Sequence, residues 1–327
     1  MVSGDNLQSP DLYGLVRMEL EQVEENLRRL CLVDSQPIAQ LLTHVLGTPG
    51  KRLRPAITIL AAKFTDRNQT APILMATAVE LLHIATLIHD DTVDVSDVRR
   101  GKITVNSKWG RKVAVLLGDY VFASSATVVC DTNDVRVIRL FSETIVHLSD
   151  GELVEVFDSF NKQQSWESYL YRIDKKTASL FSTAAESGAI LSGAPSEWVD
   201  ALSSYGYNLG MAFQIVDDIL DFQGDPNEVG KPVGKDLRQG LVTIPALMLL
   251  DRFPSDNPIE PLLNGIDTEQ NLRRALEMIQ NSDIIPMAYS MAADYCAKAA
   301  HSLGILPPVV ARQSLMQFTK YVTERRF

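Results

Sequence analysis

The segment HDDTVDVSDVRRGK, residues 89–102, places three carboxylates, Asp90, Asp91 and Asp94, at the end of an apolar run. Apolar side chains recur every three or four positions before it, which predicts a helix over 71–94. Like charges this close repel one another, and the dipole of a helix disfavours anions at its carboxyl end. The segment is therefore either a solvated helix end or a place where a cation binds.

A second segment, GMAFQIVDDILD, residues 210–221, repeats the arrangement. Its aspartates, Asp217, Asp218 and Asp221, lie 7, 8 and 11 residues after Gly210, as those of the first segment do after His83. This spacing puts each triplet on one face of a helix. Hard oxygen ligands in this number suit Mg²⁺, which keeps waters and bridges carboxylates to substrate phosphates.

Helical periodicity covers nearly the whole chain, and no alternating strand with a hairpin turn interrupts it. Long helices are predicted over residues 71–94, 111–130, 134–159, 166–191 and 197–223. The composition shows no linker or step. We therefore expect one all-α domain over residues 1–327, a bundle of long helices, with the motifs between about 50 and 245.

Composition and charge indicate a globular protein and exclude some classes of partner. The chain is 46% hydrophobic and 22% charged, which is typical of a globular protein. A formal charge of −10 argues against a nucleic-acid partner, because phosphate backbones need a broad basic face. The cysteines at 31, 130 and 296 are predicted to be reduced thiols. We see no leader or membrane anchor in the sequence, and we expect a cytoplasmic protein.

Basic residues form several small groups, two of which directly follow the acidic segments. Lys51, Arg52 and Arg54 occur in GKRLRP, residues 50–55, and further basic residues are Arg99, Arg100, Lys176, Lys231 and Lys235. Each cluster alone is commonly just solvated. Together with Mg²⁺ and carboxylates, they form a set that recognises substrate diphosphates.

Over about residues 50–245, the chain resembles the trans-polyprenyl diphosphate synthases. The motifs that carry the resemblance are GKRLRP, ELLHIATLIHDDTVDVSDVRRG, KKTASLF, GMAFQIVDDILD and GKPVGKDL. The resemblance implies an all-helical homodimer of the isoprenoid synthase type, in which the aspartate motifs face each other across a central cavity. It also implies head-to-tail condensation of isopentenyl diphosphate with an allylic diphosphate: dimethylallyl, geranyl or farnesyl.

The resemblance also assigns roles to residues. Mg²⁺ would be bound by Asp90, Asp91, Asp94, Asp217, Asp218 and Asp221. The allylic diphosphate would be held by Arg99, Lys176, Thr177, Gln214, Lys231 and, with less support, Lys235. Isopentenyl diphosphate would be held by Lys51, Arg52, His83 and Arg100. From the residues alone, His83 is also compatible with a hydrogen-bonded core histidine, and Gln214 with a buried amide.

Product length is read from the positions before the first triplet. In the family, aromatic residues four and five positions before the first aspartate give short products, and here these positions are Thr86 and Ala85. The segment also looks most like that of long-chain members. A helix of 20–25 residues spans about 30–38 Å, which is deep enough for many isoprene units. Because both side chains are small, we expect a product of about six to ten units. Geranylgeranyl or farnesyl diphosphate is the alternative product.

Other classes remain open from the sequence. A class I terpene cyclase also ionises an allylic diphosphate, but it does not need the second basic set of Lys51, Arg52 and Arg100. Squalene and phytoene synthases space their aspartate motifs differently. A non-catalytic subunit of a heteromeric synthase would generally lack intact motifs, whereas all six aspartates are present here.

Overall fold

The computed structural model describes residues 12–48, 50–67, 69–223 and 233–324, and within them the regular structure is almost entirely helical. The first part contains α1 (Arg17–Arg29), α2 (Gln36–Leu46), α3 (Leu53–Ala62), α4 (Thr70–Val93), α5 (Val105–Trp109), α6 (Arg111–Cys130) and α7 (Val135–Asp158). The second part contains α8 (Trp166–Ile173), α9 (Ser179–Ser192), α10 (Ser196–Gln223), α11 (Lys235–Arg238), α12 (Ile244–Arg252), α13 (Ile259–Leu263), α14 (Thr268–Gln280), α15 (Ile284–Ser302) and α16 (Val310–Glu324). The prediction of an all-α protein is confirmed.

Between α4 and α5 lies a short antiparallel hairpin, β1 (Val98–Arg99) and β2 (Lys102–Ile103). Val98 is opposite Ile103, and Arg99 is opposite Lys102. The sequence analysis did not predict this hairpin, because each strand is only two residues long.

The long helices begin and end close to the predicted positions, because breakers and caps mark their ends in the sequence. Ser165, for example, caps α8 by accepting a hydrogen bond from the backbone N–H of Ser168 over 3.2 Å. The predicted helix over 166–191 is interrupted, however, by a π-helical turn at Asp174–Ala178. Such single turns are frequent at functional sites, and this one carries Lys176 and Thr177.

The contacts within the chain distinguish two compact units. The first takes the chain up to Leu140 together with Ala184–Val199 and Leu306–Phe318. The second takes Phe141–Thr183, Asp200–Ile305 and the chain from Thr319 onward. The first aspartate segment belongs to the first unit and the second segment to the second, and each is described by itself.

In the first unit, α4 is the central helix and packs against α3 and α6. Its side chains are buried on most sides, including Met75, Val79 and Leu82. By length and composition, α4 and α6 could each cross a membrane, although α4 is largely buried, as the core helix of a soluble protein is.

In the second unit, α10 approaches the π-helical turn and α9 closely through two glycines. A methyl group at Gly206 would lie 2.4 Å from the carbonyl oxygen of Phe181, and one at Gly210 would lie 2.7 Å from Cα of Ala178. Only glycine allows this approach. It brings the π-helical turn against the stretch of α10 that leads to Asp217.

Candidate active site

The first aspartate-rich segment forms the carboxyl end of α4. The helix ends at Val93, and the backbone N–H of Asp94 donates to the carbonyl oxygen of Asp90 over 2.8 Å. Asp91 is buried, and its Oδ1 accepts a hydrogen bond from Nε of Arg99 over 2.6 Å. Arg99 therefore offsets part of the repulsion among the three carboxylates.

Arg99 and Arg100 lie on the hairpin that follows α4. The strands are joined by Arg100–Gly101, and both residues have a positive φ, 50° and 74°. This matches a type I′ turn, whose hand fits the twist of the strands but whose first position is unfavourable for a residue with a side chain. Arg100 is thus held at the tip in a costly conformation, as functional residues often are.

A group of arginines surrounds His83 on α4. Its pKa lies well below the ordinary histidine value, first because of burial and then because of four positive charges, those of Arg54, Arg100, Arg99 and Arg52. The imidazole is therefore neutral at physiological pH, and it can still donate one N–H hydrogen bond. This surplus of positive charge suits a phosphate or diphosphate group.

Arg52 begins α3 with a positive φ of 49°, and its guanidinium pairs with Glu24 and Glu80, each over 2.5 Å. A methyl group at Gly50 would lie 2.9 Å from Nη1 of Arg52 and 3.1 Å from Nη1 of Arg100. The glycine therefore lets both guanidinium groups lie against the backbone. Because two carboxylates already balance Arg52, the surplus charge beside His83 comes mainly from the other arginines. Lys51 is exposed on the turn before α3.

The second aspartate-rich segment ends α10, and Asp218 is its buried member. Its Oδ2 accepts a hydrogen bond from Oη of Tyr169 over 2.7 Å, and its Oδ1 accepts one from Nε2 of Gln214 over 2.8 Å. Oε1 of Gln214 in turn accepts from Oγ1 of Thr177 over 2.7 Å. This hydrogen-bonded chain orients the carboxylate of Asp218 and explains why Gln214 and Thr177 lie together.

Asp221 accepts two backbone hydrogen bonds from the start of α11. The N–H groups of Lys235 and Asp236 each donate to its carboxylate over 3.1 Å. An anion at the amino end of a helix is favourable, so α11 stabilises Asp221. The side chain of Lys235 is exposed, and Lys231 lies outside the described residues.

Three aspartates in this part of the second unit have raised pKa values. Burial, opposed by the hydrogen bonds of Tyr169 and Gln214, raises the pKa of Asp218 to about 7. Burial also raises the pKa of Asp221, and burial together with the neighbouring carboxylates holds the pKa of Asp236 well above its ordinary value. A bound cation would stabilise the ionised carboxylates and so lower these pKa values.

Divalent metal binding fits each segment, provided that other ligands complete the site. Among the described residues, no three acidic, histidine or cysteine side chains converge closely enough to form a complete metal centre. Mg²⁺ commonly takes one or two protein carboxylates and completes its octahedron with waters and phosphate oxygens. Asp90, Asp91 and Asp94, and likewise Asp217, Asp218 and Asp221, offer the oxygen ligands that this mode requires.

Lys176 lies on the π-helical turn beside α7. Its Nζ contacts Oε1 of Glu155 over 2.7 Å and Oε1 of Glu152 over 2.9 Å. A methyl group at Gly151 would lie 2.6 Å from the backbone nitrogen of Lys176, so the glycine lets α7 approach this turn. The two glutamates thereby hold the ammonium group in place.

The predicted chain-length positions lie one turn before Asp90. Thr86 is half-buried, and its Oγ1 donates to the carbonyl oxygen of His83 over 2.8 Å, whereas Ala85 is buried. The two small side chains therefore face different surroundings. Their role, like the roles assigned to the other site residues, stays a prediction.

Sequence reasoning gave no role to Arg54, Tyr169 or Asp236. Arg54 lies in the GKRLRP motif, and the structure places its charge beside His83, so the motif itself was the available signal. Asp236 likewise lies in the GKPVGKDL motif, whereas Tyr169 lies in none of the quoted motifs. Their contacts depend on the π-helical turn and on the path of the chain after α10, which residue spacing does not predict.

Comparisons with known proteins place this chain among prenyl diphosphate synthases. The family model described as polyprenyl synthetase matches residues 35–279. The chain is 36% identical to heptaprenyl diphosphate synthase component 2 of Bacillus subtilis, over 96% of this chain and 90% of the relative. It is 34% identical to nonaprenyl diphosphate synthase of Mycobacterium tuberculosis, over 99% and 98%. A solved polyprenyl synthase of Caulobacter crescentus, complexed with calcium and isoprenyl diphosphate, superposes with a TM-score of 0.90, at 33% identity and with 97% of each chain covered.

Proposed function

The chain belongs to the polyprenyl synthetase family, and on that premise we propose that it builds a long all-trans polyprenyl diphosphate from isopentenyl diphosphate and an allylic primer. The prediction of a trans-prenyltransferase of isoprenoid biosynthesis is confirmed, and the relatives named as heptaprenyl and nonaprenyl synthases support a long-chain product. The observation that carries the proposal is the aspartate-rich end of α4 beside four arginines and a neutral His83. This is the chemistry that a metal-bound diphosphate requires.

Different residues of the site are assigned to the metal and to each of the two diphosphates. Bound Mg²⁺ supplies positive charge that stabilises the diphosphate group as it leaves. In the second unit, Lys176 and the Thr177–Gln214 pair are assigned to the allylic diphosphate. Its C–O bond ionises, the double bond of isopentenyl diphosphate attacks the resulting allylic cation, and the adduct loses a proton to the released diphosphate. Isopentenyl diphosphate is held by Lys51, Arg52, Arg100 and His83, whose neutral imidazole donates a hydrogen bond.

A metal-dependent reaction accords with the Caulobacter relative, which is complexed with calcium. We assign Mg²⁺ to this chain because small, hard Mg²⁺ suits one or two carboxylates with phosphate oxygens. The cytoplasm stays the expected location, and it accords with the burial of most of α4, one of the two helices that are apolar enough to cross a membrane.

Homodimers are the proposed assembly. In the first unit, α6 is as apolar as α4 yet remains mostly unburied, with Val115, Leu116 and Tyr120 exposed. An apolar helix face of this kind is typical of a surface that a second chain covers. The Bacillus relative is named as component 2 of its enzyme, which keeps a different second subunit as the alternative partner.

Product analysis tests the proposed function. The purified chain alone is incubated with isopentenyl diphosphate, farnesyl diphosphate and Mg²⁺, and the dephosphorylated products are separated by chromatography. We expect products of about six to ten isoprene units, since Thr86 and Ala85 put no bulk beneath Asp90. Turnover that appears only after a second protein is added would favour the heteromeric alternative, and a product of four units or fewer would favour geranylgeranyl or farnesyl diphosphate synthesis.

The pocket assignment is tested by adding bulk at Thr86 and Ala85. Phe at both positions should shorten the main product to four units or fewer. Because Ala85 is buried, Phe there also overpacks the core, so Thr86→Phe alone is the cleaner variant. Ala297→Phe, on the exposed face of α15, is the matched control and should leave the products unchanged. Unchanged products in the double variant would refute the assignment.

A further inference from the structure

The hairpin that carries Arg99 and Arg100 is attached to α4 mainly at its base. The backbone N–H of Ser96 donates to the carbonyl oxygen of Asp91 over 2.9 Å, and Oγ1 of Thr104 donates to the carbonyl oxygen of Ser96 over 2.7 Å. Arg99 is also tied directly to Asp91. These contacts hold the start and the end of the hairpin segment, and the tip at Arg100 lies beyond them.

Beneath the hairpin there is a partly open cleft with a volume of about 80 Å³, bounded also by α2 and α4. Its apolar lining includes Val45 of α2, Ile84 and Ile88 of α4, and Val105 of α5. The hairpin therefore does not rest on a continuous packed core. Its position depends on the few polar contacts that reach it, because loosely packed strands are easily displaced.

Those contacts come from α2 and from Thr48 just after it, both outside every motif that the sequence singled out. Nε2 of His44 lies 2.9 Å from the carbonyl oxygen of Ile103 on β2, so Nε2 carries the hydrogen and donates it. Nζ of Lys102 donates to Oγ1 of Thr48 over a longer 3.3 Å. The imidazole of His44 is itself held edge-on against Trp109, with ring centroids 4.9 Å apart.

We propose that His44 is a positioning residue that fixes β2, the strand that follows the turn at Arg100 and Gly101, and so places Arg100 for the diphosphate of isopentenyl diphosphate. This inference rests on the proposed function. Arg99 keeps its own bond to Asp91 when His44 is changed, whereas Arg100 depends on the hairpin backbone. Loss of the His44 bond therefore weakens the binding of isopentenyl diphosphate more than that of the allylic primer.

The test separates the hydrogen bond from the packing of the ring. His44→Phe keeps a ring against Trp109 but has no donor, whereas His44→Gln keeps an N–H donor without the ring. His301→Ala, an exposed histidine near the end of α15, is the matched control. Hydrogen exchange of the amides in 98–103, followed by mass spectrometry without ligand, measures the mobility of the hairpin. Titration calorimetry with Mg²⁺ measures the affinity for isopentenyl diphosphate and for a non-reactive thiodiphosphate analogue of the primer.

His44→Phe should exchange faster in the hairpin and bind isopentenyl diphosphate about three- to tenfold more weakly, the range for one lost neutral hydrogen bond. His44→Gln should restore much of both properties, and affinity for the primer analogue should change little. Unchanged exchange in His44→Phe, or an equal loss of affinity for both ligands, would overturn the inference and leave the proposed function standing. If the wild-type chain does not bind isopentenyl diphosphate at all, the proposed function fails and the inference fails with it.

Discussion

The buried aspartate at the end of α4 is paired directly with an arginine, whereas the buried aspartate at the end of α10 is hydrogen-bonded by neutral donors and has Arg172 only as a positive charge nearby. Asp91 is paired with Arg99 over 2.6 Å, but Asp218 is held by Tyr169 and Gln214. The same spacing of aspartates is therefore compatible with two different ways of managing their repulsion. Asp91 of the first segment is balanced by an arginine, and we expect the second segment to depend more on a bound cation.

The largest expected effect comes from removing one carboxylate at either end. Asp90→Ala and Asp217→Ala should each lower turnover by about 10³-fold or more, because a metal–diphosphate contact contributes several kcal/mol to the transition state. Rates of product formation at saturating substrate and Mg²⁺ measure this. If only one of the two segments binds metal, the two losses will differ widely.

Folding must be checked in both variants by circular dichroism. Removal of one of several repelling charges should leave the fold intact. Asp200→Ala, on an exposed position of α10, is the control and should keep full turnover. Near-wild-type rates in a folded Asp90→Ala or Asp217→Ala protein would refute the metal assignment for that segment, and chelation of Mg²⁺ should stop turnover in the wild type.

The second prediction separates the basic residues of the two units. Arg52→Ala should raise the KM for isopentenyl diphosphate, and Lys176→Ala that for the allylic primer, each by about ten- to a hundredfold for a lost charge-assisted contact. Steady-state kinetics with each substrate varied in turn measures the split. Equal effects of both variants on both substrates would mean that this partition of the basic residues is wrong.

A variant of Arg54 makes that test more specific, because the guanidinium of Arg52 is already paired with Glu24 and Glu80. Truncation of Arg52 leaves Glu80, which is 4% exposed, without this partner and should cost about 3–5 kcal/mol of stability. Arg54→Ala leaves both ion pairs intact while removing a charge beside His83. A larger rise in the KM for isopentenyl diphosphate with Arg54→Ala, at a smaller loss of thermal stability, would move the substrate contact from Arg52 to Arg54.

The sequence was sufficient to predict the long helices and to place both triplets at helix ends, because periodicity and breakers are local properties. The spacing also placed His83 on the same helix face as the first triplet. In the structure, the charges of four arginines help to lower the pKa of this histidine. The sequence could not distinguish Arg52 from Arg54, because their difference lies in Glu24 and Glu80, which come from α1 and α4. Nor could it reveal the π-helical turn, since an i→i+5 hydrogen bond leaves little trace in apolar spacing.

The raised pKa of Asp218, about 7, distinguishes the second segment further. An unfolded aspartate titrates near 3.9, so between about pH 4 and pH 7 the folded chain holds a proton that the unfolded chain has lost. The stability contributed by this group is complete below pH 4 and is lost as the pH rises through about 7. The slope is at most about 1.4 kcal/mol per pH unit for one group.

The last prediction follows from this sign. Without Mg²⁺, Asp218→Asn should flatten the fall in stability between pH 4 and pH 7 by about 1 kcal/mol per pH unit, since an amide does not titrate. Urea unfolding at several pH values, in a metal chelator, measures the slope. Asp200→Asn, exposed on the same helix, should keep the wild-type slope. Added Mg²⁺ should stabilise the wild type more at pH 8 than at pH 6, because protons compete with the cation for the carboxylate. If Asp218→Asn and the wild type have the same slope, burial of Asp218 does not hold its proton, and the second segment is then balanced by the protein as the first is.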